Sequence, residues 1–435
     1  MLQKLQLHLN ANFPFLQGKR LFLAVSGGMD SMVLLQLFYQ LNYEIAVLHC
    51  NFSLRNLESD GDEDFVKQFC EENQIPIFVQ KFDTKQFAED AKVSIQVAAR
   101  KLRYDWFYEQ LTDENFDYIL TAHHLDDSLE TFLINLTRGT GLEGLTGIPA
   151  QNDKIIRPLL PFSRTEIESY IQGNNLQWRE DSSNASDKYF RNKVRHAIVP
   201  VLKELNPNLL SSFQNTVENL QQAQSLVEDA SKLVYQIVVQ EEDNQLKINS
   251  IELLKLPNYA AYLYQWLKDF GFTAWQDIYD LVTAQSGKQV FSNNYILLKD
   301  RDFLILYPKE NHTTELEFFV EKGIEEVKFP LNITFCNVSD ISNANSNCIF
   351  VDQDFIKFPL TIRKWQEGDY FYPLGMQGKK KLSKYFKDEK MSLLEKSNQW
   401  LLCSNNEIVW VIGKRQDERF KITEKTNHKL QIKLY

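Results

Sequence analysis

The sequence predicts an α/β protein that begins with a parallel sheet covered by helices on both faces. Over the first third of the chain, short apolar runs alternate with amphipathic stretches, which is the pattern of such a sheet. The first apolar run, 21–25, leads directly into a glycine-containing segment and then into a helix-forming run. From about residue 207 a long helical period replaces the alternation. This change predicts a mainly helical domain, followed by a small α+β domain.

Each element of the predicted parallel sheet has its own signal. The predicted strands are apolar runs of strand length, and they cover 20–25, 44–49, 76–80 and 117–121. The helix after the first strand is indicated by apolar residues spaced between 32 and 41. The helix before the fourth strand is indicated by Ile95, Ala98, Leu102 and Trp106, which are three or four residues apart and therefore share one helix face.

The patterns in the rest of the sequence predict two further domains. Helical patterns cover 208–240 and 259–285, and β-like runs occupy 290–307. An Asn/Ser-rich stretch predicts a loop at 339–347, and the final strands are predicted at 360–365, 408–412 and 429–434, around a lysine-rich segment. We therefore predict domains at 1–210, 211–312 and 313–435, in line with the usual size of folding units.

The composition excludes several classes of protein. Hydrophobic residues make up 43% and charged residues 24% of the 435 residues, which is ordinary for a globular protein. No apolar run approaches the ~20 residues that span a bilayer, and the first residues lack a signal-peptide core, so we expect a cytoplasmic protein without membrane association. The five cysteines include no C-x-x-C pair, which argues against a zinc ribbon, an iron–sulfur cluster and a disulfide framework.

The charge of the chain is unevenly distributed. The total is −10, yet residues 361–435 carry 16 Lys or Arg against 9 Asp or Glu, a net +7 that leaves −17 for residues 1–360. A uniformly basic nucleic-acid-binding protein is excluded, but a local basic surface at the carboxy-terminal end is not.

A candidate phosphate-binding loop follows the first predicted strand, with the sequence Ser26-Gly27-Gly28-Met29-Asp30-Ser31. Two glycines allow the backbone to approach a ligand closely, and the first amides of the next helix have no partner within that helix. The serine hydroxyls can donate to phosphate oxygens, whereas a carboxylate at Asp30 suits such a site mainly if Mg²⁺ lies between the two. The alternative is an ordinary Gly-Gly turn with a helix N-cap. Walker and Rossmann glycine motifs are absent.

A second candidate segment starts at the end of the fourth predicted strand. His123, Asp127 and Glu130 are spaced by four and three residues, so they share a helix face at the sheet edge where open α/β folds bind ligands. Two carboxylates there would suit a cationic substrate. Two alternatives are a solvated acidic first turn, especially for Asp126, and a metal site formed by His123, His124 and Asp127.

The loop resembles the PP-loop of the N-type ATP pyrophosphatases, which cleave ATP between its α and β phosphates. Together with the second segment, the chain is similar to the tRNA(Ile)-lysidine synthetase family. The supporting motifs occur in order at 49–55, 99–104, 139–148, 156–161 and 181–196, the last including Asp181, Ser183 and Asn184. One position departs from the family pattern, because Phe52 stands where the family usually has a second histidine.

The resemblance implies an activity: ATP-dependent ligation of free L-lysine to C2 of the wobble cytidine of tRNA(Ile) with a CAU anticodon. An adenylated cytidine would be the intermediate, and lysidine, AMP and diphosphate the products. The loop residues 26–31 and Arg100 would bind ATP, with Mg²⁺ held at Asp30. Arg100 and Arg103 lie one helical turn apart and could clamp phosphates or form structural ion pairs.

The resemblance also implies roles for the second segment. Asp30, His123, Asp127 and Glu130 would be the catalytic residues. Asp127 and Glu130 would hold the amines of lysine, and His123 would lie near the reacting base. Contacts to phosphate or tRNA would come from Arg191 or Arg195.

The lysine-rich segment is the candidate tRNA contact in the carboxy-terminal domain. Lys379, Lys380, Lys381 and Lys384 lie beside Tyr385 and Phe386; the alternative is a solvated helix face. The family carries a similar pattern in a domain that contacts the tRNA acceptor stem, so the resemblance implies that 211–312 and 313–435 both bind tRNA. The rival functions are a tRNA thiolase and a non-catalytic RNA-binding protein. The sequence is also compatible with a homodimer.

Overall fold

The structure, a computed structural model, describes residues 1–55, 57–180, 190–242, 245–309, 317–339 and 344–435. The predicted motif residues Asp181, Ser183 and Asn184 lie outside the described residues, as does part of the predicted loop at 339–347. The chain divides into two compact units, Met1–Asp229 and Ala230–Tyr435. The three predicted domains, with boundaries near 210 and 312, stay a prediction.

The first unit alternates helices and strands. Its elements are α1 (Leu2–Asn12), β1 (Arg20–Ala24), α2 (Met29–Gln40), β2 (Glu44–Asn51), α3 (Leu57–Glu72), β3 (Ile77–Lys81), α4 (Thr84–Asp90), α5 (Ile95–Asp113), β4 (Tyr118–Leu120), α6 (Leu125–Arg138), β5 (Gln151–Asn152), β6 (Ile155–Ile156), α7 (Arg164–Gly173), α8 (Phe190–Lys193), α9 (Val199–Leu205) and α10 (Leu209–Val238), the last of which runs across the boundary between the units.

The predicted parallel sheet with helices on both faces is confirmed. The strand order is β3-β2-β1-β4-β6-β5, and all pairs are parallel except β5 with β6 at the edge. The chain leaves β1 towards β2 and β3 and then returns to pair β4 with the other side of β1. The order of the strands therefore reverses between β1 and β4, which is where a crevice opens at the carboxyl ends of the strands.

Buried side chains on both faces hold this sheet between its helices. Leu21 and Leu23 pack into one core with α1, α2 and α7, whereas Phe22 packs into another core with Trp106 and Phe107 of α5. All three strand residues are fully buried. The alternation follows from the period of two along a strand, and burial on both faces is typical of a parallel sheet in an α/β protein.

The second unit contains shorter elements, mostly strands. They are β7 (Val239–Glu242), β8 (Gln245–Asn249), α11 (Ser250–Leu254), α12 (Tyr259–Leu267), α13 (Trp275–Leu281), β9 (Gln289–Phe291), β10 (Tyr295–Asp300), β11 (Phe303–Pro308), β12 (Phe318–Val320), β13 (Glu326–Val327), β14 (Ile333–Val338), β15 (Cys348–Asp352), β16 (Leu360–Lys364), β17 (Tyr370–Phe371), β18 (Lys380–Lys381), α14 (Leu382–Asp388), α15 (Leu393–Asn398), β19 (Trp400–Ser404), β20 (Glu407–Val411) and β21 (Lys429–Leu434).

The strands of the second unit form antiparallel sheets. A five-stranded sheet, β7-β8-β11-β10-β9, packs with α12 and α13 around Leu263, Leu267 and Ile278. Two four-stranded sheets, β12-β16-β19-β20 and β13-β14-β21-β15, share a core around Trp410. The helical patterns at 208–240 and 259–285 correspond to α10, α12 and α13, and the β-like runs at 290–307 correspond to β9, β10 and β11.

The helices offer no candidate for a membrane span. Among the described residues, every helix is too short or too polar to cross a bilayer.

Candidate active site

A cavity of about 990 Å³ lies where β1 and β4 end. Most of the residues predicted for the site line it. They are Ser26, Gly28, Met29, Asp30 and Ser31 from the loop after β1, His123 and Asp127 after β4, and Arg191 and Arg195 from the segment that starts at α8. The two sequence-predicted segments therefore meet in one cavity, because their strands are neighbours in the sheet.

The loop after β1 is held in its conformation by hydrogen bonds of its own serines. The Ser31 hydroxyl donates to the carbonyl of Gly28 (2.8 Å) and accepts from the amide of Ser26 (3.2 Å). Gly27 has a φ of +88°, which side-chain-bearing residues rarely adopt, and a Cβ there would lie 3.3 Å from Val66 of α3. The helix α2 starts at Met29 without a side-chain cap. Its first amides are therefore left for an anionic ligand.

Asp30 has the features of a magnesium ligand beside that loop. Its Oδ1 atom is buried and has no hydrogen-bond partner among the described residues, and its Oδ2 lies 3.7 Å from Nε2 of His124. Burial raises the pKa of Asp30, an effect that His124 opposes. The described residues contain no cluster of three metal-ligating side chains, which argues against the metal site considered for His123, His124 and Asp127. Mg²⁺ commonly binds through one or two carboxylates together with substrate phosphates, so Asp30 fits such an ion.

The two histidines before α6 differ in their surroundings. His124 is 1% exposed; its backbone amide donates to Oδ2 of Asp127 (3.1 Å) and its Nε2 lies 3.5 Å from the same oxygen. His123 lines the cavity, with Nδ1 3.0 Å from the hydroxyl of Thr121. Burial lowers the pKa of His123 to about 4, although Asp127 acts in the opposite direction. His123 is therefore an uncharged imidazole at neutral pH.

The predicted carboxylates and arginines of the site bind one another. Glu130 is 2% exposed and lies outside the cavity lining. It accepts hydrogen bonds from Arg195 at Oε1 (2.6 Å) and Oε2 (3.0 Å), and from Arg191 at Oε2 (3.1 Å). Arg195 also reaches Oδ1 of Asp127 at 3.3 Å. Burial acts to raise the pKa of Asp127, but His124, His123 and Arg191 outweigh it, so the net shift is downward and favours the carboxylate.

Asp126, the third acid of this turn, has a structural role. It is 5% exposed, accepts from the amide of Arg164 (2.8 Å), and pairs with Lys203 of α9 (2.7 Å). The suggestion of a solvated acidic turn therefore does not hold for Asp126, which joins the start of α6 to α7 and α9.

Several residues that sequence reasoning did not select also line the cavity. Arg164, Glu168, Trp178 and Arg179 contribute from α7 and the segment after it. Only their closeness to the motifs at 156–161 and 181–196 could have drawn attention to the α7 group. Of the two arginines of α5 that were considered as a phosphate clamp, Arg103 lines the cavity, whereas Arg100, which was predicted to bind ATP, does not.

The lysine-rich segment belongs to the second unit. Lys379, Lys381 and Lys384 are exposed, and Lys379 lies over the ring of Tyr370, 5.1 Å from its centroid. Lys380 pairs with Asp388 at 2.8 Å. The aromatic neighbours Tyr385 and Phe386 are buried in a core cluster, so they anchor α14 and do not present rings to a ligand.

Models of known protein families match three stretches of the chain. A PP-loop domain matches residues 1–202, a TilS substrate binding domain matches 240–309, and a TilS substrate C-terminal domain matches 360–432. The chain is 39% identical over 443 aligned residues to the tRNA(Ile)-lysidine synthase of Parabacteroides distasonis, with 99% of both chains covered. The chain belongs to the tRNA(Ile)-lysidine synthase family.

A second relative agrees with this membership in the tRNA(Ile)-lysidine synthase family. The counterpart from Bacteroides thetaiotaomicron is 37% identical, with 97% of this chain and 96% of the relative covered. Among solved structures, the U34-tRNA thiolase NcsA from Methanococcus maripaludis aligns with a TM-score of 0.43 and 21% identity over 51% of this chain and 77% of that one. Family membership confirms the resemblance read from the motifs. The chain is an enzyme, a ligase that forms a carbon–nitrogen bond, modifies tRNA and binds ATP.

The loop geometry predicts that Gly27→Ala weakens ATP binding. A left-handed backbone costs a residue with a Cβ about 1–2 kcal/mol, and at Gly27 the added Cβ also presses on Val66. We expect ATP affinity, measured by calorimetric titration, to fall roughly 5- to 30-fold. Gly18→Ala is the matched control, because Gly18 also has a positive φ (+71°) but has open space around it, away from the loop. An equal loss of affinity in both variants would contradict the interpretation.

The low pKa of His123 predicts a stability that depends on pH. The folded state holds His123 neutral down to about pH 4, whereas an unfolded histidine binds a proton near pH 6.5. Because the unfolded chain binds more protons between these values, stability is complete above pH 6.5 and falls as the pH drops towards 4. His123→Gln should therefore lose less stability over that range than the wild type. Urea-unfolding midpoints at pH 7.5, 6 and 5 measure the difference, and parallel pH profiles for the two proteins would rule it out.

Proposed function

We propose that this enzyme joins free L-lysine to C2 of the wobble cytidine of tRNA(Ile) with a CAU anticodon, using ATP and releasing AMP and diphosphate. The observation that carries the proposal is the meeting of a phosphate loop and a cluster of carboxylates and arginines in one cavity. The loop suits ATP, and the cluster suits an amino acid that carries charges of both signs. The cytoplasm, where ATP, lysine and tRNA occur together, is the proposed site of the reaction.

The chemistry requires two steps. In the first, O2 of the cytidine attacks the α-phosphorus of ATP, and the bond to the β-phosphate oxygen breaks so that diphosphate leaves. In the second, a lysine amine attacks C2, the C2–O2 bond breaks, AMP leaves with that oxygen, and the amine loses a proton. Adenylation is needed because the C2 oxygen alone is a poor leaving group.

The loop after β1 would hold the departing diphosphate. The free amides at the start of α2 supply donors, and donors fixed in advance can stabilise the charge that develops on a leaving group. Asp30 would hold Mg²⁺, since its buried Oδ1 has no partner among the described residues. When bound, that ion would neutralise charge on the phosphates of ATP.

The carboxylate–arginine cluster would bind lysine. Asp127, Glu130, Arg191 and Arg195 carry formal charges that cancel. Free lysine presents ammonium groups and a carboxylate, so Asp127, which lines the cavity, can accept from an ammonium group while an arginine pairs with the carboxylate. Glu130 lies behind the lining and would hold Arg191 and Arg195 in place. The neutral imidazole of His123 adds no positive charge to the cavity, which favours the approach of a cationic substrate.

The thiolase rival is disfavoured by its need for closely placed cysteines. Cys50 lines the cavity, but the next cysteine, Cys70, is buried in the core on the other face of the sheet. Burial raises the pKa of each thiol to about 12, which keeps both in the protonated form. A purely RNA-binding protein has no use for a phosphate loop joined to a buried charge cluster.

The decisive experiment incubates the enzyme with unmodified tRNA(Ile), ATP and lysine, and analyses the tRNA by mass spectrometry. We expect AMP, diphosphate and a mass increase at the wobble cytidine that depends on all three substrates. Diphosphate release without lysine is compatible with the first step, whereas AMP formation that is independent of lysine, or a sulfur-containing product, would overturn the proposal.

The cluster predicts that Glu130→Gln raises the KM for lysine far more than the KM for ATP. The amide keeps the shape of the side chain but removes the charge that holds Arg191 and Arg195. Steady-state kinetics with each substrate varied in turn measure the two constants. Glu44→Gln is the control, because Glu44 is an exposed carboxylate paired with Arg20 (2.9 Å) at the opposite end of the sheet. Equal increases in both constants would make Glu130 a structural residue.

The basic segment predicts a loss of tRNA binding when Lys379, Lys380, Lys381 and Lys384 are all changed to Ala. Lys380 is already paired with Asp388, so about three phosphate contacts should disappear and the log–log salt slope of binding should shrink by roughly 2–3. Filter binding at several salt concentrations measures the slope, and ATP affinity should stay the same. A control that removes the same charge changes four exposed lysines of the first unit that do not line the cavity, namely Lys4, Lys85, Lys92 and Lys154. The same slope in both variants would refute the assignment.

A further inference from the structure

Trp178 is an exposed aromatic residue in the lining of the cavity. All seven tryptophans of the chain lie among the described residues, and Trp178 is the only one whose side chain is exposed, at 37%. Within the described part of the chain, its ring contacts no other aromatic ring and no cationic group. A single exposed apolar side chain needs no explanation by itself, so the argument depends on how Trp178 is held and where it lies.

The backbone on both sides of Trp178 is fixed. Two residues earlier, Leu176 packs against the core formed by α1, α2 and α7. One residue later, the amide of Arg179 donates to the carbonyl of Gly27 in the loop after β1 (3.0 Å), and its Nε donates to Oδ1 of Asp62 on α3 (2.5 Å). The indole is therefore presented to the cavity from a backbone whose position is set by the loop itself.

Trp178 lies where the cavity opens to solvent. The other aromatic residues of the lining are Phe52, Tyr104 and Phe107, which are buried or half-buried. A cavity of about 990 Å³ is far too small for a whole tRNA, so only the reacting nucleotide enters it, and that nucleotide comes from the solvent side. The Trp178 ring is the aromatic surface that such a nucleotide meets first.

The proposed chemistry needs a base that is held by its face. An enzyme that reacts with an atom of a base takes that base out of its stack, and unstacked bases of RNA loops commonly stack on aromatic side chains. A ring against one face of a cytosine leaves O2, which lies in the plane of the base, free to attack phosphorus. It also leaves the opposite face of C2 free for the lysine amine.

We propose that Trp178 stacks on the base of the wobble cytidine and holds it in the cavity, out of the anticodon-loop stack. The inference rests on the proposed function, which makes that cytidine the acceptor. Adenine of ATP is the second base that the reaction brings to the cavity. The exposure of Trp178 favours cytosine, because the base of a macromolecular substrate has to pass the opening while the rest of the tRNA stays outside.

The test compares two forms of tRNA(Ile), one with cytidine at the wobble position and one that lacks only that base. Binding is measured with α,β-methylene-ATP, which cannot be cleaved between α and β, and without lysine. Wild-type enzyme should bind the intact tRNA about 5- to 100-fold more tightly, the range for one base stacked on an aromatic ring. Trp178→Leu removes the ring and should bring this ratio close to one, whereas Trp178→Phe should keep most of it.

Three outcomes would overturn the proposal. The first is a wild-type ratio of one. The second is a Trp178→Leu variant that binds both tRNAs more weakly but keeps their ratio, because the ring would then contact the RNA backbone or support the fold. The third is a loss of affinity for the ATP analogue alone that equals the loss for intact tRNA, which would assign the ring to adenine.

Phe15 provides the matched control. Its side chain is also 37% exposed, and its ring lies 5.2 Å from that of Tyr118, where β4 begins and thus away from the cavity. Phe15→Leu removes an aromatic ring of equal exposure, so it should leave the ratio between the two tRNAs unchanged. A ratio that falls as far as in Trp178→Leu would mean that the effect is structural and would refute the proposal.

Tryptophan fluorescence gives a second measurement that does not depend on the folding of the leucine variant. Stacking on a base quenches an indole, so intact tRNA should quench wild-type emission more than the form that lacks the base, and Trp178→Phe should abolish this difference. A difference that persists in Trp178→Phe would contradict the stacking. Absence of lysidine in the wild-type assay would refute the proposed function alone, because these binding measurements require no turnover.

Discussion

The parallel pairing of β4 with the free side of β1 is the constraint on which the site depends. Leu21 to Leu23 of β1 pair with Tyr118 to Leu120 of β4, so the loops that follow the two strands end at the same edge of the sheet. Parallel strands cannot be joined by a tight turn, and the chain covers the distance with β2, β3 and the helices α2 to α5. Without this pairing, the phosphate loop and the acidic turn of α6 would be separate surface features.

The burial of charged side chains is the second physical constraint on the cavity. A carboxylate as buried as Glu130 would be strongly unfavourable if it lacked partners, and the structure supplies three hydrogen bonds from two arginines. These arginines come from α8 and from the one-turn π-helix Val194–Ile198 that follows it. Insertions of this kind often occur at functional positions. The pairing therefore holds the segment after residue 190 against α6 and keeps a mixed set of charges beside the cavity.

Much of the secondary structure of the first unit was predictable, because each strand and loop is indicated by a short stretch of sequence. The four predicted strands agree with β1 to β4 within about two residues at each end, and the loop at 26–31 lies where its motif predicts. The direction in which an individual side chain points was not predictable from the sequence. Arg100 and Arg103 lie one turn apart on α5 and look equivalent in the sequence, yet Arg103 alone of the two lines the cavity. Likewise Tyr385 and Phe386 look like exposed neighbours of the lysines, but both side chains are buried.

The sequence by itself determined the α/β order of elements, the phosphate loop and the acidic turn, because each of these depends on residue types at short spacings along the chain. Only the tertiary structure decided the partners of the charged groups. Glu130 meets Arg191 and Arg195 across more than 60 positions, and Arg103 meets the ring of Phe52 across about 50. Such contacts form because packing brings distant segments together, and hydrophobic periodicity, which governs that packing, contains no information about which polar side chains will face each other.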